Sequence, residues 1–221
     1  MTALRGPKMA MLNLILILAG ATFAIGARAA EADVAPTGWI SLFDGNTLDG
    51  WKIANFGGQG EVHVHDGRVV LERGFTLTGI TWERDFPETD YEIRLEAMRI
   101  EGIDFFCGLT FPVGDSHCTL VVAGWAGAVV GLSCVDGRDA SENETTRYMN
   151  FENGRWYRIR VRVTEDRIRA WIDDQCMVDL VITGRELAPR PEVDLSKPLG
   201  IAAWQSRAAV RSVQYRRLPD D

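Results

Sequence analysis

The densest run of chemistry-bearing side chains in this 221-residue chain is Asp139-Ala140-Ser141-Glu142-Asn143-Glu144-Thr145-Thr146. Two carboxylates flanking an amide could supply a general base (Glu144 or Glu142) with Asn143 as a polar orienter, or could offer oxygen ligands to a cation. The plainer alternative is a solvated acidic loop, the usual fate of a charge run. His117, two residues after Asp115 in a turn, is a second candidate base, because imidazole titrates near neutral pH. Trp125 lies between Gly124 and Ala126-Gly127, a turn that buries an indole poorly. Trp204 and Trp51 are further aromatic candidates, although tryptophan in a β-domain more often belongs to the core. Glu61, His63 and His65 share one strand face at a spacing compatible with metal ligation. The opposite face of that strand carries the apolar set, so an exposed polar face is the plainer reading. No HExxH helix, Gly-x-Ser-x-Gly elbow or phosphate loop occurs, and no residue is assigned to a metal.

The elements that must position these groups read as strands. Period-two alternation dominates and helical periodicity is nearly absent. A two-residue turn at Asp66-Gly67 pairs Val64 with Val69 and Val62 with Leu71, which places four apolar residues on one face. A turn at Glu165-Asp166 pairs Val163 with Ile168, Val161 with Ala170 and Ile159 with Ile172, and sets Arg160 against Trp171 on the other face. Further strands are expected at 74–83, 91–100, 103–111, 117–123, 128–134, 146–151, 176–182, 199–204 and 209–218. Turn chemistry separates them, as at Asp136-Gly137 and Asn153-Gly154. The longest connection, 184–197, is proline-rich and has room for one short helix. More than ten short strands predict an all-β antiparallel jelly-roll sandwich.

Residues 1–29 read as an export signal, with Arg5 and Lys8 ahead of an apolar run and Ala27-Arg28-Ala29 at the cleavage point. Residues 30–221 then form a single domain, placed in the periplasm or outside the cell and free of the membrane once the signal is removed. The chain carries a net charge of −7. The first thirty residues hold three basic groups and no acids, so the remainder is at −10. That balance argues against nucleic acid or anionic lipid as a partner and suits a neutral saccharide or a cation. Cys107, Cys118, Cys134 and Cys176 allow three disulfide pairings or none, and their spacing is not that of a zinc site.

The string Gly38-Trp39-Ile40-Ser41-Leu42-Phe43-Asp44-Gly45-Asn46-Thr47-Leu48-Asp49-Gly50-Trp51 closely resembles the opening motif of the 3-keto-disaccharide hydrolase family, exported proteins with a concanavalin A-like sandwich. The likeness extends through His65-Asp66-Gly67-Arg68-Val69, Asp90 to Glu96, Asp104 to Leu109, and Gly154-Arg155-Trp156-Tyr157-Arg158-Ile159. The family's Tyr-Glu-x-Gln strand is met here as His117-Cys118-Thr119-Leu120. Its Gly-x-Ile-x-Leu-Gln-Asp-His segment is met as Gly200 to Ser206, which keeps Gln205 and lacks the Asp-His pair.

The resemblance implies hydrolysis of 3-keto-glycosides. A ketone at C3 acidifies the C2 hydrogen, so the C1 substituent can be eliminated and water added. Such a site needs a base and a cationic or hydrogen-bonding group for the enolate, a role open to a divalent metal ion. On this reading Glu144 or His117 is the base, Gln205, Asn143 and Glu142 contact the substrate, and Trp125 and Trp204 are sugar platforms. A carbohydrate-binding module without catalysis is the alternative, suggested by the absent glutamate and Asp-His pair.

Overall fold

The computed structural model describes residues 2–3 and 38–219. The expected signal at 1–29 therefore lies largely outside the described residues. Among the described residues no helix is long and apolar enough to cross a membrane. The strands are β1 (Ile40–Ser41), β2 (Trp51–Ile53), β3 (Val62–His65), β4 (Arg68–Leu71), β5 (Leu77–Trp82), β6 (Tyr91–Glu101), β7 (Cys107–Val113), β8 (Ser116–Ala123) and β9 (Val129–Ser133). They continue with β10 (Arg147–Tyr148), β11 (Trp156–Val163), β12 (Arg167–Ile172), β13 (Gln175–Val181), β14 (Gly200–Trp204) and β15 (Arg207–Arg217). One sheet runs β13-β12-β11-β6-β15-β4-β3, with β1 also paired to β15, and the other runs β10-β9-β8-β7-β14-β5-β2. All pairings are antiparallel, and the two sheets pack face to face as a jelly-roll sandwich.

Both hairpins have the register that alternation dictates: Val62 faces Leu71 and Val64 faces Val69, while Ile159, Val161 and Val163 face Ile172, Ala170 and Ile168. The core is a consequence of the same alternation. Across the second sheet, Ile80, Ile201, Leu109, Leu120 and Leu132 form one continuous inward row. Phe106, Phe151 and Tyr157 meet beside it with ring centroids 5.0–5.8 Å apart. Cys107 and Cys118 are buried free thiols, both pushed up to about 12 by desolvation.

The opening motif is structural. The Asp44 carboxylate accepts the amides of Asn46 and Thr47, each at 2.7 Å, and the Thr47 hydroxyl at 2.8 Å. Those hydrogen bonds hold its carboxyl below the usual range. Trp51 is buried, donates from Nε1 to the Leu42 carbonyl at 2.7 Å and packs edge-on against Trp82. A Cβ at Gly50 would lie 2.6 Å from the Trp82 ring, so the glycine is required by packing as well as by its φ of +80°. Trp51 is thus core.

Three expected strands are shorter than read. Residues 74–76 form a loop against Gly58, and 146–151 keeps only two ladder residues. Residues 103–106 leave the ladder because the Asp104 backbone is taken by the Ser206 hydroxyl, which accepts from its amide and donates to its carbonyl. In the proline-rich connection, Pro191–Ser196 forms one 3-10 turn with Pro191 at its first position.

The outer face of the first sheet carries Glu92, whose side chain is 1 % exposed beneath two guanidinium groups. Arg160 donates to it at 3.1 Å and Arg216 at 2.8 Å, and Arg160 also stacks on Trp171 at 3.8 Å. Removing a buried, doubly hydrogen-bonded charge is costly because its partners were oriented for it. Glu92→Ala is expected to lower stability by about 2–3 kcal/mol, read as a fall in the urea midpoint. A change below about 0.5 kcal/mol would show the pair to be a surface ornament.

Candidate functional site

Alternation also dictates what the second sheet shows on its outer face. Opposite the inward row, Gly79, Ala202, Gly108, Val121 and Gly131 lie side by side across five strands. One step along, Thr81, Gly200, Thr110, Thr119 and Ser133 form a second row. The first row is short-sided, so other groups can settle directly on the sheet. Phe105 lies over Gly108, where a Cβ would come within 3.1 Å of its ring. Phe105 packs with Leu77, Val193 and Trp204 into an apolar wall. The Asp139–Thr146 loop closes on Gly131 from the other side, its Ala140 carbonyl 2.9 Å from where a Cβ would stand.

Beside the apolar wall is a cavity of about 240 Å³, lined on the sheet side by Thr119, Val121 and Ser133. Trp125 and Asp104, and Arg190 and Glu192 of the proline-rich connection, also line it. Trp125 is 41 % exposed. The volume lies just under the roughly 300–1,000 Å³ of pockets for drug-sized ligands, which suits a small ring.

The Trp125 turn is strained. Ala123, Trp125 and Ala126 all have positive φ, at 68°, 49° and 62°. Non-glycine residues held there cost about 1–2 kcal/mol each, and such strain collects at ligand sites. Two contacts hold the turn: the Ala126 amide donates to Asp104 Oδ2 at 3.2 Å, and Gly127 fits against Ile103 where a Cβ would meet its carbonyl at 2.6 Å. Beneath it, buried Arg99 donates to Asn153, to the Phe151 carbonyl and to the Asp104 carbonyl.

Trp125 and Trp204 are brought together at this cavity; the other sequence candidates are not among its lining. Asn143, 9 % exposed, staples its own loop. Its amide nitrogen donates to the carbonyls of Leu132, Arg138 and Asp139, and its oxygen accepts the Thr145 amide and hydroxyl. Every polar atom it has is occupied. Glu144 is ion-paired with Arg185 on the surface, and Glu142 is exposed. Gln205, with φ of +45°, donates to the Phe75 carbonyl at 3.0 Å and borders a different cavity. His117 shares the outward face of β8 with Thr119, one pleat further along. Its pKa is lowered by desolvation and by Lys197, with Asp194 and Glu88 opposing, so the ring is neutral at pH 7.

The residues that sequence reading missed are Asp104, Phe105, Thr119, Ser133, Arg190 and Glu192. Thr119 and Ser133 carried a signal, as hydroxyls at outward positions of otherwise apolar strands. Arg190 and Glu192 carried none, because only the fold returns their loop to the sheet. Arg190 donates to Glu192 at 2.9 Å and to Asp139 at 3.0 Å. That guanidinium holds the Glu192 carboxyl below its usual range. Among the described residues no three His, Cys, Asp or Glu side chains gather to hold a metal, Glu61, His63 and His65 included.

The architecture is that of the concanavalin A-like sandwiches of glycosyl hydrolases and carbohydrate-binding modules. The chain is similar to the Crh5 transglycosylase (13 % identity, TM-score 0.56, covering 82 % of this chain and 84 % of that one). It is also similar to the carbohydrate-binding module CBM66 of Bacillus subtilis (13 %, 0.51, covering 76 % and 95 %). A third similar structure is a family 16 glycosyl hydrolase protein of Mycobacterium smegmatis (12 %, 0.50, covering 80 % and 98 %). At such identities these likenesses speak for the fold alone. The family itself is shown by sequence: the model of the 3-keto-alpha-glucoside-1,2-lyase-like domain matches residues 38–218, and the chain belongs to that family. A comparison with curated proteins found no match.

Two outcomes test these placements. Asn143→Ala is expected to cost about 2–3 kcal/mol in urea denaturation, since it leaves buried backbone groups unpaired; a substrate contact would change ligand affinity and leave stability alone. His117 has a folded pKa below its unfolded value, so the folded state binds fewer protons and stability falls as pH drops through about 6.5. His117→Gln should lack that loss. The variant's melting temperature relative to the parent should therefore rise between pH 7 and pH 5.

Proposed function

We propose that the cavity between Trp125 and Trp204 receives the keto-sugar ring of a 3-keto-glycoside and that the chain cleaves its C1 bond. The observation that carries this reading is the pairing of a strained, exposed indole with an apolar wall over a floor of hydroxyls, in a chain of this family. Indole faces suit the C–H faces of a sugar, while Thr119 and Ser133 suit its hydroxyls.

The chemistry needs one base and one group for the enolate. Asp104 is committed to the turn, since Oδ1 and Oδ2 accept the backbone amides of Phe105 and Ala126. Glu192 is ionised, half-exposed and at the cavity. Both its oxygens accept from the part-exposed Arg190 side chain, a partner that a substrate can draw away where a backbone amide cannot move, and we assign Glu192 the C2 proton. The C2–H electrons move into the C2–C3 bond and the carbonyl electrons onto O3, where Arg190 offers a cationic donor. Collapse of the enolate then expels the C1 substituent, which takes up a proton, and water adds to the unsaturated ketone. His117, Glu144, Glu142, Asn143 and Gln205 have no part in this scheme. No step is routed through a metal, for which the gathered side chains supply no donor set.

A binding module without catalysis is the second reading, and one observation favours it. Cys118 and Leu120, which stand at the glutamate and glutamine places of the Tyr-Glu-x-Gln strand, are buried core residues, so β8 offers neither that carboxylate nor that amide.

Turnover of a 3-keto-disaccharide by the purified protein, with the unoxidised disaccharide as control and a chelator arm, separates the two. Cleavage of the keto-sugar alone is the expected result, with Glu192→Gln slowing it about 10²–10⁴-fold and Glu144→Gln leaving it unchanged. Trp125→Ala should weaken binding about 3- to 10-fold. Sugar-dependent tryptophan fluorescence without turnover would establish the module instead.

A further inference from the structure

The cavity of the proposed keto-sugar has a neighbour. Trp204 and Leu77 line the first; Gln205, the next residue, and Phe75, two residues before Leu77, line a second of about 430 Å³. Gln59, Arg73 and the glycines 58 and 74 complete its lining. Phe75 is 89 % exposed. A phenyl ring so open is unfavourable unless something covers it.

The backbone that carries the ring is held in place. The Phe75 amide donates to the Gly58 carbonyl at 2.9 Å, and its own carbonyl accepts from Gln205 Nε2 at 3.0 Å. Gln59 braces the facing loop, accepting the Gly57 amide at 3.0 Å and donating to Asn55 at 3.1 Å. Gly74 has no room for a side chain, since a Cβ would fall 2.6 Å from the Gly58 carbonyl. Two loops are therefore locked together, with an aromatic face turned outward. Free polar capacity surrounds it. Gln205 Oε1 and one N–H of Gln59 make no bond among the described residues, and the exposed Arg73 guanidinium has no carboxylate partner there. Most other arginines on this acidic chain are ion-paired.

We infer that this second cavity is a subsite for the other ring of the substrate, and that it takes a glycosyl unit bearing a carboxylate. Phe75 covers the apolar face of that ring, Gln59 and Gln205 meet its hydroxyls, and the forked guanidinium of Arg73 meets the carboxylate in bidentate fashion. The inference rests on the first cavity being the keto-sugar site, since continuity through Trp204–Gln205 and Phe75–Leu77 is what joins the two.

The test is calorimetric titration of the whole protein with three ligands: methyl 3-keto-α-glucoside, an α-linked 3-keto-disaccharide of neutral sugars, and its analogue whose second ring is a uronic acid. Parent protein, Phe75→Ala, Phe75→Tyr, Arg73→Gln and Trp125→Ala are compared. The uronate should bind tightest, and Phe75→Ala should weaken both disaccharides about 3- to 10-fold while leaving the methyl glycoside unchanged. Phe75→Tyr should restore affinity. Arg73→Gln should remove the preference for the uronate, and Trp125→Ala should weaken all three. Equal affinity for the three ligands, or loss on Phe75→Ala that includes the methyl glycoside, overturns the subsite with the first cavity intact. Equal affinity for the two disaccharides overturns its acidic character. Binding of none of them by the folded parent protein overturns the keto-sugar site and the subsite with it.

Discussion

The pleat of five central strands governs everything else in this molecule. A strand turns successive side chains to opposite faces, so Ile80, Ile201, Leu109, Leu120 and Leu132 cannot line up against the other sheet unless Gly79, Ala202, Gly108, Val121 and Gly131 line up on the outside. The inward row builds the core by removing branched apolar side chains from water. The outward row is almost bare. That bareness lets an apolar wall and an acidic loop lie directly on the sheet, and a cavity is left beside the wall over Thr119, Val121 and Ser133.

Polar groups on the two sheets serve different ends. The outer face of the first sheet is a lattice of arginine, glutamate and tryptophan, in which Glu92 is buried by the guanidiniums that neutralise it. These groups are mutually satisfied and hold the sheet. The polar groups at the cavity are partly unspent. Arg190 and Glu192 pair with each other at a cavity edge, where a substrate can compete for them, and Thr119 and Ser133 form its floor. On the proposed reading this one ion pair serves both halves of an enolisation, Glu192 taking the proton and Arg190 meeting the developing oxyanion.

Strain marks the same place. Positive φ at Ala123, Trp125 and Ala126 holds the indole away from the core, and the Asp104 carboxylate accepts the Ala126 amide within that turn. An indole in a core strand would have needed no such arrangement. The strained turn, the apolar wall and the hydroxyls of Thr119 and Ser133 therefore meet on one face of one sheet.

Sequence by itself determined whatever depends on neighbours along the chain: the strands, both hairpin registers, the Arg160–Trp171 contact, the turn chemistry of the opening motif and the exposed position of Trp125. These follow from alternation and from residues that tolerate positive φ, and both are local. It left the Asp139–Thr146 cluster open between a site and a solvated loop, because composition reports that Asn143 is polar and cannot report that five bonds already engage it. It passed over Arg190 and Glu192, whose segment is unremarkable until the connection at 184–197 folds back across the sheet. Whether a side chain is spent or available, and which distant segments share a cavity, are properties of packing between elements far apart in sequence. Only the tertiary structure decided them.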